Sequence, residues 1–392
     1  MILQHMHDET AFRSAVRDWL GRILPQRPVP AEHASSDVVP VAAQRWWMAA
    51  LNQVGLGTPH WPGAYGGVDM SPRLQAILVE EFARAEAPPL DIFMISLNHV
   101  PVTLMRWGTE AQKRRYLPEV REGAVWCQGF SEPGAGSDLA ALRTRAVRDG
   151  DHYVINGHKI WSSFSMYADR AILLARTDPG STRHSGISFF LMDMKAPGVD
   201  VRPVRQANGK SKFAELFLTD VHIPAVDRVG DEGQGWAVAQ TTLSAERGLY
   251  SLENSERLHR AMEIFLREAV AQGRPWARDS RLRARFAELF ARLQSIRALI
   301  RDLLFAEDHD GAGTMIAAAT IKILFSELRR DYGAFRIEVD PVESVYIGDD
   351  TEELSANPMF ASLTSFGGMI GGGTNDIMRN IIAERGLGLP RG

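Results

Sequence analysis

Two glycines lie between two serines in residues 131–137, and this segment is the part of the sequence best suited to bind a ligand. Gly134 and Gly136 allow backbone N–H groups to approach an anion closely, because glycine has no side chain that would hold the anion away. Ser131 and Ser137 add a hydroxyl donor on either side. The structural alternative is an ordinary β-turn that the protein itself satisfies. We expect this loop to cradle a negatively charged group.

A pair of strands is predicted just after the loop. Asn156-Gly157 is typical of a two-residue hairpin turn, in which both residues take a positive φ. The flanking runs, residues 152–155 and 159–162, have the composition of strands. We therefore predict a hairpin that carries Trp161 beside the loop. The alternative for this Trp is a core side chain.

The loop and the strands together resemble a known family. The run from Glu132 to Asp138, the Asn-Gly pair and the Trp that follows are similar to the acyl-CoA dehydrogenases. Four further segments resemble that family in its own order and spacing: residues 55–67, 108–123, 213–236 and 371–391. The likeness covers nearly the whole chain.

The resemblance implies an α+β fold of three domains. Residues 1–121 would form an N-terminal helical domain with a Pro/Gly-rich loop, residues 122–229 a middle β-barrel or sandwich domain with the flavin and substrate cleft, and residues 230–392 a C-terminal four-helix bundle. Apolar residues at steps of three and four between Leu282 and Leu304 predict a packed helix. Residues 333–372 mix strand-like runs, acids and Pro, so their conformation stays open. Short β-rich runs lie at residues 171–175, 187–192 and 215–218.

Composition narrows the classes of function. The 392 residues carry 44 basic and 48 acidic side chains, a net charge of −4, and no dense basic run, which disfavours nucleic-acid binding. The single Cys127 cannot form an intramolecular disulfide and no Cys/His cluster has zinc spacing, so we expect a metal-free protein of the reducing cytoplasm. The N-terminus lacks the pattern of a secretory signal, and no apolar run approaches the length of a membrane span.

The resemblance implies oxidation of an acyl-CoA thioester to its trans-2-enoyl form. In that reaction a carboxylate removes the α-proton while the β-hydride passes to flavin N5. Most of the family places the basic Glu directly before the Gly-Thr of its C-terminal signature, where this chain has Gly372. One branch places it on the first long helix of the C-terminal domain before an Arg, and Glu246-Arg247 stands there. Glu246 is the expected base, Asp376 is a rival, and an exposed charged pair is the structural alternative.

Three residues are expected to bind the substrate. The family polarises the thioester carbonyl with a backbone N–H at the position of Gly372, and that N–H remains although the side chain is missing. Arg247 and Ser137 complete the set. A carboxylate acts as a base here only when its pKa is raised, so Glu246 is expected to become buried when substrate binds.

The cofactor that the resemblance implies is FAD. Thr374 and Asp376, at a predicted helix start, would hold its adenosine half, often that of a neighbouring subunit. The chain departs from the family where Gln128 replaces a frequent aromatic residue and where Ser131 and Ser163 stand in positions at which Thr is common. Correspondence with the family assigns these residues to the flavin ring and the pyrophosphate: Gln128, Phe130, Ser131, Gly136, Ser137, Trp161 and Ser163.

The small residue at position 372 predicts a wide acyl pocket, because the branch with the relocated Glu tends to accept branched, long or polycyclic acyl groups. The implied partners are the acyl-CoA, an electron-transfer flavoprotein or similar acceptor, and further subunits in a homodimer, a homotetramer or a heterotetramer with a related chain. Two other functions stay open. One is a flavin-bearing but catalytically silent subunit, and the other is a flavoprotein oxidase or a dehydrogenase acting on a carrier-protein thioester.

Overall fold

The computed structural model describes residues 6–28, 41–181, 183–244, 249–306, 311–345 and 357–390. Within these ranges the N-terminal helices are α1 (Glu9–Ile23), α2 (Val41–Gln53), α3 (Pro72–Arg84), α4 (Val100–Trp107) and α5 (Glu110–Arg121). The strands are β1 (Trp126–Gly129), β2 (Arg145–Asp149), β3 (His152–Ser163), β4 (Arg170–Arg176), β5 (Ile187–Asp193), β6 (Val199–Val204), β7 (Phe213–Pro224) and β8 (Arg228–Val229). The C-terminal helices are α6 (Gly235–Ser244), α7 (Leu249–Ala271), α8 (Ser280–Phe305), α9 (Gly311–Val339), α10 (Pro358–Ile370) and α11 (Asn375–Ile381).

Three of the N-terminal helices, α1, α3 and α5, begin at side-chain caps. The Ser71 hydroxyl accepts from Leu74 N at the start of α3, and Thr109 with Gln112 forms a complete capping box on α5. The predicted loop at residues 55–67 lies between α2 and α3. Trp47 anchors the core beneath it, with its ring 5.4 Å from that of Trp19.

The eight strands form a mixed sheet in the order β6-β7-β3-β2-β4-β5-β8, with β1 paired to β4. The β1–β4 pairing is parallel and sets Trp126 opposite Arg170. The predicted β-rich runs are confirmed as parts of β4, β5 and β7. Since β1 is short and lies near the middle of the sheet, the chain leaves the sheet at Gly129 and enters the glycine-rich loop directly.

The predicted hairpin turn at Asn156-Gly157 is wrong. Both residues lie inside the continuous strand β3, and neither has a positive φ. The turn that joins β2 to β3 is Gly150-Asp151, where Gly150 takes a φ of +59°. The two strand-like runs that flank the Asn-Gly pair are therefore successive parts of one strand.

Long-range contacts explain the Asn-Gly pair. The Asn156 amide donates to Asp220 Oδ1 at 2.9 Å and accepts from Asp220 N at 3.0 Å, across an irregularity in the pairing of β3 with β7. Gly157 is required by packing, because a Cβ there would lie 2.3 Å from Thr144 Oγ1. The pair thus accommodates a β-bulge and a crowded neighbour instead of a turn.

The C-terminal helices pack in succession, α7 on α8, α8 on α9 and α9 on α10, and α3 also packs on α7. The predicted stripe lies on α8, where Phe286, Leu293 and Ile300 are buried. The sequence did not predict the conformation of residues 333–372. The first part of this segment continues α9 as far as Val339, because Phe335 is buried in the bundle core. The segment resumes as α10, whereas residues 346–356 lie outside the described residues. None of the helices in the described ranges is both long and apolar enough to cross a membrane.

Candidate active site

The loop after β1 is held by its own backbone and leaves its glycines open. Glu132 and Ala135 exchange two backbone hydrogen bonds of 3.1 and 3.0 Å, which close a tight turn. A Cβ built on Gly134 or Gly136 would meet no protein atom within 4 Å, and neither glycine has a positive φ. In the part of the chain that the structure describes, neither packing nor backbone conformation requires these glycines, in contrast to Gly157.

Strand β3 lies directly behind this loop. Ile160 N donates to Ser131 O at 3.0 Å, and Lys159 Nζ donates to Phe130 O at 3.0 Å. Lys159 Nζ also donates to Glu132 Oε1 at 2.8 Å. The structure therefore brings the loop and the strand segment around Trp161 together.

Trp161 points out of the protein. Its side chain is 55% exposed, and its backbone φ is +63°, a conformation that a bulky residue rarely adopts. It lies at a second irregularity between β3 and β7, and bulges of this kind re-aim side chains near active sites. The ring meets Phe213 edge-on, with the centroids 5.9 Å apart. The alternative of a core tryptophan is therefore wrong.

Four polar side chains on or near the glycine-rich loop that are expected to bind the cofactor have no protein partner within the described ranges. Ser131, Ser163 and Gln128 are partly exposed, Ser137 is exposed, and none of the four side chains makes a hydrogen bond to a described residue. Phe130 differs, because its ring is 3% exposed and packs edge-on against Phe189 with the centroids 5.8 Å apart. The Phe130 side chain therefore belongs to the core, and its carbonyl oxygen accepts from Lys159.

A buried ion pair supports the loop. Lys159 is fully buried and Glu132 is 8% exposed. Burial lowers the pKa of Lys159 to about 8, although the Glu132 carboxylate opposes this shift. Burial alone would raise the pKa of Glu132, but the Lys159 ammonium and the hydrogen bonds from Lys159, Thr144 and Arg143 outweigh it and lower this pKa. Both groups are therefore charged at neutral pH.

The sequence interpretation did not identify Lys159. A signal was present, because Lys159 has the same parity in β3 as the buried Tyr153 and Ile155, which places it on the inward face of the strand. A lysine at an inward position requires a buried acceptor. The acceptor that the structure shows, Glu132, was already part of the motif.

The C-terminal signature forms a separate part of the candidate site. Gly372 and Gly373 take φ values of +65° and +86°, and Thr374 caps α11 by accepting from Ile377 N at 3.2 Å. Asp376 is largely exposed and pairs with Arg379 at 3.1 Å. Among the described residues, no hydrogen bond or ion pair joins Thr374 or Asp376 to the glycine-rich loop.

The expected base, Glu246, and Arg247 lie outside the described residues. The helix that precedes them is firmly attached to α4. Thr103 Oγ1 and Thr242 Oγ1 are 2.7 Å apart and completely buried, and Trp107 Nε1 donates to Thr241 Oγ1 at 2.9 Å. The end of α6 is thus fixed a few residues before Glu246 in the sequence.

Three family models match the chain in succession. They are the acyl-CoA dehydrogenase N-terminal domain over residues 6–124, the middle domain over residues 127–221 and the C-terminal domain over residues 233–387.

In the described residues, no group of three or more His, Cys, Asp or Glu side chains is arranged to hold a metal ion.

Individual relatives match over most of the chain. Acyl-CoA dehydrogenase IpdE1 of Mycobacterium tuberculosis is 34% identical over 98% of this chain and 99% of its own. Cyclohexane-1-carbonyl-CoA dehydrogenase of Geobacter metallireducens is 30% identical over 86% of this chain and 88% of its own. The solved structure of the Tcur3481-Tcur3483 steroid ACAD superposes with a TM-score of 0.84 and 30% identity over the full length of both chains. This chain therefore belongs to the acyl-CoA dehydrogenase family and is an oxidoreductase that acts on a CH–CH bond.

Proposed function

We propose that this chain is an FAD-dependent dehydrogenase that converts a branched or bulky acyl-CoA thioester into its trans-2-enoyl form. The observation that carries the proposal is the open glycine-rich loop beside the outward-facing Trp161, in a chain of this family. When bound, FAD supplies the acceptor for the β-hydride.

The residues present fit a flavin dinucleotide. The open space at Gly136 and the exposed hydroxyl of Ser137 suit a pyrophosphate, which needs close backbone and hydroxyl donors. Ser131 and Ser163 offer hydroxyls that no described side chain uses, and Trp161 offers an exposed aromatic surface to a ring system. Gln128, Phe130, Thr374 and Asp376 complete the proposed cofactor residues.

The proposed base is Glu246, whose carboxylate would take the α-proton. Gly372 supports this assignment, because its φ of +65° lies in the left-handed region. A residue with a side chain would be strained there by about 1–2 kcal/mol. This backbone conformation therefore disfavours, at position 372, the Glu that most of the family has there. Arg247, Ser137 and the N–H of Gly372 would contact the substrate, and the N–H would polarise the thioester carbonyl.

The proposed substrate class rests on the relatives and on Gly372. Their names include a steroid ACAD and a cyclohexane-1-carbonyl-CoA dehydrogenase, and both names describe bulky acyl groups. The absence of a side chain at Gly372 leaves room for such groups. We expect kcat/KM to be at least about tenfold higher for cyclohexane-1-carbonyl-CoA or a steroid side-chain CoA than for octanoyl-CoA, which corresponds to about 1.4 kcal/mol. Equal values would contradict the proposed wide pocket.

The proposed partners include a second subunit. Five large apolar side chains on α9, on α10 and after α11 are exposed, and we propose that a copy of this chain or a related subunit covers them. The mass of the purified chain in solution, measured by light scattering, distinguishes a homo-oligomer from a chain that needs a different partner. Reoxidation by an electron-transfer flavoprotein tests the proposed electron acceptor. The exposed residues are Leu324, Phe366, Ile370, Leu387 and Leu389.

The decisive experiment is anaerobic titration of the purified protein with acyl-CoA. We expect a yellow protein that bleaches, and Glu246→Gln is expected to keep FAD yet lose at least about two orders of magnitude in the rate of flavin reduction. Glu268→Gln, at an exposed position of α7, is the matched control. Near-normal reduction by the Glu246 variant would remove this residue from the mechanism. A wild-type protein that is yellow but does not bleach would indicate the silent-subunit alternative.

A further inference from the structure

Three consecutive acceptors of the glycine-rich loop are bound by two consecutive residues of β3. Lys159 Nζ reaches Phe130 O at 3.0 Å and Glu132 Oε1 at 2.8 Å, and Ile160 N reaches Ser131 O at 3.0 Å. A single lysine thus binds both a backbone carbonyl and a carboxylate of the segment that would face the flavin.

The contact to Phe130 O has a geometric consequence. In a trans peptide the C=O and the following N–H point in opposite directions, and the chain has no cis peptide bond. Because Phe130 O points at Lys159, the N–H of Ser131 points away from Lys159. That N–H donates to none of the residues that the structure describes.

The ion pair is itself tied to the backbone. Glu132 Oε2 accepts from Arg143 N at 2.6 Å, and Glu132 Oε1 accepts from Thr144 N at 2.9 Å. The aliphatic part of Lys159 packs close to Gly129, where a Cβ would lie in ordinary contact with Lys159 Cγ at 3.7 Å. The ammonium is therefore held in one place from several sides.

Stability alone does not account for this arrangement. Dehydrating a buried ion pair costs so much that apolar side chains of similar volume often stabilise a core equally well or better. What an apolar pair does not provide is a donor to Phe130 O. The distinctive contribution of Lys159 is therefore directional.

We propose that Lys159, fixed by Glu132, is a positioning residue that sets the orientation of the Phe130–Ser131 peptide, so that the N–H and hydroxyl of Ser131 face the flavin. This inference rests on the proposed function and deepens it. Lys159 touches neither cofactor nor substrate and acts through the loop backbone.

The test compares three variants with the wild-type protein. Lys159→Met removes the donor and leaves a buried, unpaired carboxylate. The double variant Lys159→Met/Glu132→Gln removes both charges, keeps similar volumes and retains an acceptor for one of the backbone N–H groups. Lys195→Met is the matched control, since that lysine is 79% exposed. For each protein we measure the melting temperature without FAD, the dissociation constant of FAD, and the absorption spectrum of the bound flavin.

We expect the double variant to regain much of the melting temperature lost in Lys159→Met, and still to bind FAD at least tenfold more weakly than wild type with a shifted flavin spectrum. A purely structural role would not alter FAD affinity or the spectrum once folding is restored. A double variant that folds and matches wild type in both would overturn this inference alone. A wild-type protein that binds no FAD would overturn the proposed function, and this inference with it.

A second measurement needs no variant. If the Ser131 N–H faces the flavin, FAD should slow the hydrogen exchange of that amide in the wild-type protein at least tenfold. The amide of Gly150, an exposed residue in the turn between β2 and β3, is the internal reference. Unchanged exchange at Ser131 on saturation with FAD would overturn the proposed orientation.

Discussion

Two nearly dehydrated carboxylates in this molecule are neutralised in different ways. Glu81 on α3 is 1% exposed and meets three arginines of α1 and α3, at 2.8, 2.8 and 2.6 Å, whose side chains are 34–50% exposed. Glu132 is 8% exposed and meets one lysine that is completely buried, together with two backbone N–H groups. Glu81 is thus paired with several arginines that contact water, whereas Glu132 is paired with a single lysine that is fully buried.

The network around Glu81 is distributed. The neighbouring Glu80 binds Arg13 and Arg301, and Arg301 continues to Glu256 on α7, so the charges join the N-terminal helices to the bundle. The loss of one arginine leaves two others bound to Glu81, and the arginines themselves, at 34–50% exposure, contact water. Among the described residues, Lys159 is the single cation paired with Glu132, so its loss leaves no second one in place. Several partly exposed partners suit the contact between helices, whereas a single fixed pair suits a loop that must hold one orientation.

The largest effect is expected when Glu132 is left without its lysine. Lys159→Met should lower the free energy of unfolding by about 3–5 kcal/mol, because an uncompensated charge then remains buried. Chemical denaturation of the FAD-free protein measures this. The double variant with Glu132→Gln should recover at least half of the loss. A single variant as stable as wild type would break the contrast with Glu81.

Glu81→Gln should cost less, about 1–3 kcal/mol of unfolding free energy, since its arginines become partly rehydrated. Denaturation under the same conditions measures this loss, and Glu110→Gln, whose side chain is 63% exposed, serves as the control with little change. A loss larger than that of Lys159→Met would reverse the ranking of the two regions.

The two regions should respond to opposite ends of the pH scale. Burial opposes ionisation of Glu81, but hydrogen bonds from Arg17, Arg84 and Arg13 outweigh it and lower its pKa to about 2 from 4.5. Its contribution is therefore complete above pH 4.5 and is lost as pH falls towards 2. Glu81→Gln should show a weaker acid dependence of stability than wild type between these values, and an identical dependence would contradict the assignment.

The dependence of stability on alkaline pH tests the titration of Lys159. Burial lowers its pKa to about 8 from 10.5, so between these values the unfolded chain binds one more proton than the folded protein. Stability from this group therefore rises with pH across that window. The wild-type protein should gain stability relative to Lys159→Met/Glu132→Gln between pH 8 and 10.5. A constant difference would show that Lys159 titrates normally.

The smallest effect is expected at Arg84. Because Arg84 is 49% exposed and Arg13 and Arg17 still bind Glu81, Arg84→Met should lower the unfolding free energy by no more than about 1 kcal/mol. Thermal and chemical denaturation should agree on this. A loss of several kcal/mol would mean that the network is not redundant.

Much of the fold was predictable from local pattern. The stripe on α8, the β-rich runs and the loop before α3 follow from periodicity and from Pro and Gly, which act over a few residues. The hairpin at Asn156-Gly157 was not predictable correctly, since the partner of Asn156 is 64 residues away at Asp220. A turn signal and a bulge signal look alike in the sequence, and the neighbouring strands decide between them.

The candidate site likewise contains residues that the sequence pattern identified and residues that it did not. The glycine-rich loop, Trp161 and the C-terminal signature were visible as motifs, and Glu246 stays a prediction on residues that the structure does not describe. Lys159 was missed although it binds the loop. Its role depends on a carboxylate 27 residues away, and strand parity predicts burial without naming the partner.

Short motifs and periodicities in the sequence were enough to establish the resemblance to the family, the order of the helical and β segments, and the residue types expected around the proposed cofactor. Tertiary contacts were needed to show that Gly157 is required by packing while Gly136 faces open space, that Trp161 points outwards, and that Lys159 is fully buried. Register, bulges and burial arise from contacts between segments far apart in the chain, and local pattern does not contain that information.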